Sequence, residues 1–298
     1  MLTPREVVAE VIQYRRASAA STVNNSLHNH DKLCELLHGK LTDIGDCFAK
    51  YGQTSYVVQG PRDQGVDVLL KLSADDTPEK YVAFQIKSHR EISDRKSDLS
   101  KLLKAAFHDA RSHYGEHLVR YYIIFFGDPS NDKRISAITN EFTKDDRIRV
   151  IDSRYAKTLI DLDTITIAAI VDHFLRHEDF VLKKAKDEAK GLERNQLHAL
   201  ITSLSASYES SSTLVREDLL IEKYGLDKQT IDSLEGLSIE KSHTDGVVEI
   251  RQSDYPAIRA LYYDIKVRYD YSAGAMSSHL TILLFDQFLK QNPYTQTD

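Results

Sequence analysis

No stretch of this chain approaches the roughly 20 consecutive apolar residues that a membrane-spanning helix needs. The first residues, Met1-Leu2-Thr3-Pro4-Arg5-Glu6, lack the apolar core and small-residue cleavage site of a secretory signal, so a cytoplasmic location and no membrane partner are expected. Cysteine is scarce. Cys34 and Cys47 are too few for a disulfide framework or a four-cysteine metal site, and both fall in a helical pattern that suits buried thiols. Twelve histidines occur without an H-E-x-x-H or C-x-x-C context, which argues against zinc; His28 and His30 sit in a polar stretch that reads as a solvated loop. There is no Walker A loop, no dinucleotide-binding glycine motif and no G-x-S-x-G elbow, so ATP and nicotinamide chemistry are not indicated. No internal repeat or low-complexity region is visible.

Net positive charge is also missing. The balance is −6, which speaks against a protein held on nucleic acid by bulk charge. The charge is uneven. Residues 194–298 carry 10 Lys and Arg against 15 Asp and Glu, leaving 29 against 30 in residues 1–193. Residues 87–120 hold 8 basic and 5 acidic residues with four histidines, and this segment is the better candidate to meet phosphate.

What is present is a chain of 298 residues with 41% hydrophobic and 28% charged content, ordinary for a globular protein and long enough for two domains. A helix is expected over residues 4–20 and a second from Asp31 to Tyr51, with Leu33, Leu36, Leu37, Leu41, Ile44 and Phe48 setting its period and Asp31 as its cap. The period then changes. Ser55–Val58 reads as a strand, Gly60–Gly65 as a turn, Val66–Leu72 as a strand, Ser73–Glu79 as a polar loop, and Lys80–Ser88 as the returning strand. Ser97–Tyr114 follows as a helix with Leu99, Leu102, Leu103, Ala106 and Phe107 on one side. RYYIIFF at Arg120–Phe126 reads as a strand buried on both faces. A helix at Asp132–Phe142, a strand at Ile148–Ile151 and a mainly helical Ala156–Leu175 complete an α/β layered domain.

The expected division is an N-terminal helix and linker at 1–30, the α/β domain at 31–180, a charged linker or exposed helix at 181–195, and a smaller α+β part at 196–298. That last part shows helices at Gln196–Tyr208, Arg216–Tyr224 and Asp227–Glu235. A hairpin of Ile239–Lys241 with Val247–Arg251 follows, an order that resembles a winged helix. Its acidic balance favours packing or a protein interface over DNA reading. Tyr255–Tyr271, with five tyrosines, suits a core or interface, and residues 291–298 look frayed.

The hairpin carries the chemistry. Side chains along a strand alternate between faces. Val66, Val68, Leu70 and Leu72 share one face, as do Val82, Phe84 and Ile86, which leaves Asp67, Gln85 and Lys87 together on the other. A carboxylate, an amide oxygen and an ammonium so grouped suit phosphodiester hydrolysis. The oxygens can hold a hard cation, which lowers the pKa of a bound water, and the lysine can stabilise developing negative charge. The bland alternative is a cross-strand Asp67–Lys87 ion pair worth at most about 1 kcal/mol.

Gly60-Pro61-Arg62-Asp63-Gln64-Gly65-Val66-Asp67-Val68 followed by Phe84-Gln85-Ile86-Lys87 resembles the PD-(D/E)xK restriction-endonuclease-like superfamily, nearest its Mrr-like and defence-associated members, which tolerate glutamine in the motif. The resemblance spans residues 30–175. It implies a mixed sheet flanked by helices and a Mg²⁺- or Mn²⁺-dependent endonuclease, acting on DNA in bacterial anti-phage defence or restriction. Asp67 matches the metal-binding aspartate, Gln85 the second acidic position, Lys87 the catalytic lysine, and Asp63 an acidic turn residue. The superfamily often adds a glutamate from the preceding helix; Glu35 is the choice here, with Asp31, Asp43 and Asp46 competing. Glutamine at position 85 removes one anionic ligand, so a catalytically inactive nuclease-fold subunit acting in a complex stays open beside the enzyme. Lys101, Lys104 and Arg111 on the following helix are the candidates for contact with nucleic acid, and the C-terminal part for a protein partner or homo-oligomer.

Overall fold

A computed structural model describes residues 8, 9, 11, 12, 28–59, 64–73, 80–128, 131–142, 145–176, 178–251 and 254–273. Most of the helix expected at 4–20, the Gly60–Asp63 turn, residues 74–79 of the hairpin loop and the tail at 291–298 lie outside them. The chain divides into two units, Met1–Leu175 and Arg176–Asp298.

In the first unit, helix α1 (His30–Ala49) is started by Asn29, whose side chain accepts the backbone N–H of Lys32 at 3.0 Å; Asp31, the expected cap, is instead in the first turn. Leu33, Cys34, Leu37, Leu41, Ile44, Cys47 and Phe48 are buried along one stripe, which meets strands β1 (Thr54–Gln59), β2 (Val68–Ser73) and β3 (Lys80–Ser88). Burying each large side chain stabilises the layer by about 1.5–3 kcal/mol. After the short helix α2 (His89–Ser93) come α3 (Leu99–Tyr114), β4 (Leu118–Phe126), α4 (Asp132–Phe142), β5 (Ile148–Ile151), α5 (Ser153–Asp161) and α6 (Thr164–Leu175).

The sheet order is β1-β2-β3-β4-β5. The first three strands are antiparallel, and β3, β4 and β5 run parallel. The protein is therefore mixed α/β, with a five-stranded mixed sheet flanked by helices. β4 is buried on both faces, as its apolar run requires. Tyr121, Ile123 and Phe125 join Leu99, Leu103, Ala110, Ile135, Ile138 and Phe142 in one core. On the other face Phe84 stacks on Tyr122, with ring centroids 5.2 Å apart. Leu102 departs from expectation and is 57% exposed. The buried stripe of α3 runs through Leu99, Leu103 and Ala110, and Leu102 stands about 80° from its centre at 3.6 residues per turn.

In the second unit, the charged stretch expected as a linker or exposed helix lies largely in helix α7 (Asp179–Lys190), which buries Val181 and Ala185 and packs on α11 (Pro256–Ala273). The Glu188 carboxylate accepts the backbone N–H of Ile258 at 2.9 Å and that of Ala257 at 3.4 Å, satisfying donors in the first turn of α11. Between them lie α8 (Arg194–Ser210), β6 (Leu214–Arg216), α9 (Glu217–Glu222), α10 (Lys228–Ser233), β7 (Ile239–Lys241) and β8 (Val247–Ile250). The expected hairpin gains a third strand, giving the antiparallel order β6-β8-β7. Three residues are too few to show a period in sequence; burial of Val215 and pairing with β8 make them a strand. Among the described residues no helix is long and apolar enough to cross a membrane.

Candidate functional site

The site begins at Gly65. Its φ of +68° suits glycine, and a Cβ there would lie 2.0 Å from the Ala106 carbonyl oxygen of α3. The Gly65 carbonyl in turn accepts the Tyr121 hydroxyl at 2.6 Å. This close approach fixes the chain two residues before Asp67.

Asp67 stands just before β2. Its N–H donates to the Phe84 carbonyl at 2.9 Å, and its Oδ2 accepts the N–H of Ile86 at 2.6 Å. The carboxylate thus supplies the next acceptor where the backbone ladder of β2 ends. Gln85 lies opposite Asp67, is buried, and donates from Nε2 to the same Oδ2 at 2.6 Å. Its Oε1 accepts the Tyr121 hydroxyl at 3.4 Å. Burial, with the charge of Asp67 added, pushes the Tyr121 hydroxyl far up, so it remains a donor.

Lys87 lies two residues beyond Gln85 on the same strand face. Its Nζ does not pair with Asp67 but bonds Glu91 Oε1 at 2.9 Å. Glu91 belongs to a capping box: its Oε2 accepts the N–H and the hydroxyl of Ser88, each at 2.8 Å, while Ser88 Oγ accepts the Glu91 N–H at 3.5 Å. His30 closes the network from α1. Its Nδ1 is 3.1 Å from Glu91 Oε2 and its Nε2 is 3.5 Å from Asp67 Oδ1. Hydrogen bonding to Asp67, then to Cys34 and Glu91, pushes the imidazole up to about 12. Burial opposes the charge on Glu91, but His30, Lys87 and the Ser88 N–H outweigh it and hold the carboxyl far below its ordinary range. Cys34, one turn after His30, completes a cluster in which a nitrogen of His30, Sγ of Cys34 and an oxygen of Asp67 all lie within 4.8 Å of one another.

The structure thus brings Asp67 and Gln85 into contact and ties Lys87 to them through Glu91 and His30. Glu35 is absent from this group. It is 61% exposed and pairs with Lys32 at 3.0 Å, because it lies off the Leu33-Leu37-Leu41 stripe that faces the sheet. The competing acids fare no better: Asp31 and Asp46 are exposed, and Asp43 accepts the hydroxyl of Thr164 at 3.2 Å. Lys101, Lys104 and Arg111 are exposed on α3, with Lys104 paired to Glu141 at 2.9 Å. Asp63 lies outside the described residues.

Sequence reasoning missed His30, Cys34 and Glu91. The signals existed. Positions 30, 34, 37 and 41 share the spacing of one helix face, so His30 belongs to α1 and not to a solvated loop. Ser88-His89-Arg90-Glu91 has the S-x-x-E form of a capping box. No family model, no curated protein and no solved structure matches the chain.

Proposed function

We propose that this chain is a metal-dependent endonuclease that hydrolyses phosphodiester bonds of DNA, acting in the cytoplasm as the effector of a bacterial anti-phage defence or restriction system. The carrying observation is the hydrogen-bonded Asp67–Gln85 pair across β2 and β3, with Lys87 two residues on along the same face. The strand order, three antiparallel strands followed by a parallel crossover to β4, supports the restriction-endonuclease-like reading.

The donors suit a hard divalent cation, Mg²⁺ or Mn²⁺. Asp67 Oδ1 is turned away from the ladder, and Gln85, whose Nε2 meets Asp67 Oδ2 and whose Oε1 accepts from Tyr121, would have to turn its amide to offer an oxygen to a cation. When bound, such a cation neutralises phosphate charge and acidifies a water. The rest falls to the chain. Ile86 N–H holds the Asp67 carboxylate in position, Glu91 holds the Lys87 ammonium, and Lys87 stabilises charge developing on the phosphate. With Glu35 directed elsewhere, Asp67 is the one carboxylate in the expected ligand set, and phosphate oxygens of the substrate would supply the remaining ligands of a bound cation.

The second reading is a catalytically inactive nuclease-fold subunit serving as a binding or assembly module. The engagement of Lys87 by Glu91 and of Glu35 by Lys32 favours it. In both readings the acidic, winged-helix-like second unit binds a protein partner or a second copy.

Plasmid, linear DNA and RNA incubated with Mg²⁺ or Mn²⁺ provide the test. Cleavage of DNA is expected, and it falls by at least about 100-fold in Asp67→Asn and Lys87→Ala. Asn retains an oxygen to accept the Ile86 N–H, so that variant stays folded. Undiminished cleavage by both variants overturns the enzyme reading. Intact substrates with the wild-type chain, alongside complex formation in size-exclusion chromatography, favour the second.

A further inference from the structure

We propose that His30, Cys34 and Asp67 form a site for a borderline divalent cation of the zinc class, distinct in chemistry from the hard cation invoked above and exclusive with it at Asp67. The proposal shares Asp67 with the nuclease reading but does not depend on cleavage.

Three observations carry it. The first is convergence of the right donors. An imidazole nitrogen, a thiol sulfur and a carboxylate oxygen lie within 4.8 Å of one another. In a tetrahedral site with Zn–N near 2.0 Å and Zn–S near 2.3 Å, ligand atoms stand about 3.5 Å apart, so the cluster needs to close by about an ångström. A thiolate and an imidazole together select zinc-like ions over Mg²⁺.

The second is the outer shell. A histidine that ligates metal through one nitrogen usually donates the other N–H to a carboxylate, which fixes its tautomer and direction. His30 offers that arrangement once a cation displaces the proton on Nε2: Nδ1 is on Glu91 Oε2 at 3.1 Å and Nε2 faces Asp67 Oδ1. Asp67 is anchored in the same way, with Oδ2 taken by Ile86 N–H and Gln85 Nε2, which directs Oδ1 to the cluster. Glu91 is itself held by Ser88 and Lys87.

The third is the backbone that presents the donors. His30 and Cys34 are one turn apart on α1, and Cys34 is 3% exposed. Three protein ligands leave a fourth position for water, the pattern of a reactive zinc centre and not of a closed structural one. Because Asp67 serves both sets, a zinc-class ion here excludes the hard cation.

Co²⁺ added to the metal-free full-length protein is the probe, because a thiolate bound to Co²⁺ gives a charge-transfer band in the near ultraviolet. The expected result is a one-to-one titration of that band, its displacement by Zn²⁺, its loss in Cys34→Ser and in His30→Gln, and its retention in Cys47→Ser. Glu91→Gln is expected to keep the band but weaken binding by about 10–100-fold, as an outer-shell partner should. Circular dichroism identifies any variant that has failed to fold, and the wild-type and Cys47→Ser spectra decide the question without it. No band in the folded wild type, or a band that survives Cys34→Ser, overturns the proposal. The spectrum is read without nucleic acid. A band without Mg²⁺-dependent cleavage retains this site and removes the nuclease reading, and cleavage without a band does the reverse.

Discussion

Two groups of charged residues, one in each unit, sit in different surroundings. In the second, ion pairs such as Arg216–Asp218, Lys223–Glu209 and Lys241–Glu235 lie on the surface and involve side chains largely open to water. In the first, Asp67, His30, Glu91 and Lys87 are half-buried and share partners, so each group holds another in place. Charge that only needs to be soluble is placed where water screens it. Charge aimed at a ligand is desolvated and braced on every atom not meant for the ligand.

The contrast can be tested by substitution, and the largest effect is expected at Gly65. Gly65→Ala should destabilise the first unit by about 3 kcal/mol or more, since it adds positive-φ strain to a collision with the Ala106 carbonyl. Urea unfolding measures this, and a cost below about 1 kcal/mol would show that α3 can move aside. Asp67→Ala comes next. It deprives the Ile86 N–H and the Gln85 amide of their acceptor and should cost about 2–3 kcal/mol, with most of the loss restored in Asp67→Asn. Equal losses for Ala and Asn would mean that the charge matters and the ladder position does not.

Glu91→Gln is the third, at about 1–2 kcal/mol near pH 5.5, and its effect depends on pH. The His30 contribution is complete below the ordinary imidazole value of 6.5 and fades as pH rises toward about 12. The Glu91 contribution is complete above the ordinary carboxyl value of 4.5 and fades as pH falls below it. The difference in urea midpoint between wild type and Glu91→Gln should therefore peak between these two values and shrink on either side. A difference flat from pH 3 to pH 9 would separate Glu91 from the network. The smallest effect belongs to the second unit, where Lys241→Ala should leave the urea midpoint unchanged within error.

Much of this contrast was legible in the chain itself. The change from helical to alternating period marked β2, β3 and β4 to within about two residues, and strand parity put Asp67 on the same face as Gln85, which the structure places across from it. Glu35 shows where such reading weakens. A glutamate one position away from a cysteine on a helix differs from it by about 100° of rotation, so the choice of donor depends on which stripe meets the sheet. The burial of Leu33, Leu37 and Leu41 decides for Cys34 and against Glu35. The partnership of Lys87 with Glu91 depends on the short helix α2, whose five residues are too few to announce a period, so the Ser88–Glu91 capping box is its main sequence sign. Strand β6 is invisible alone for the same reason and exists through its partner.

The substitution of the Asp67 carboxylate for a backbone acceptor has one more consequence. A slip of β2 by a single residue against β3 would send Asp67 and Gln85 to opposite faces and leave the Ile86 N–H unmet. On the metal readings proposed above, correct pairing is therefore a precondition for the site. A hairpin closed in the wrong register would then lack that site, and any ion binding during refolding would mark the moment at which the correct register is won.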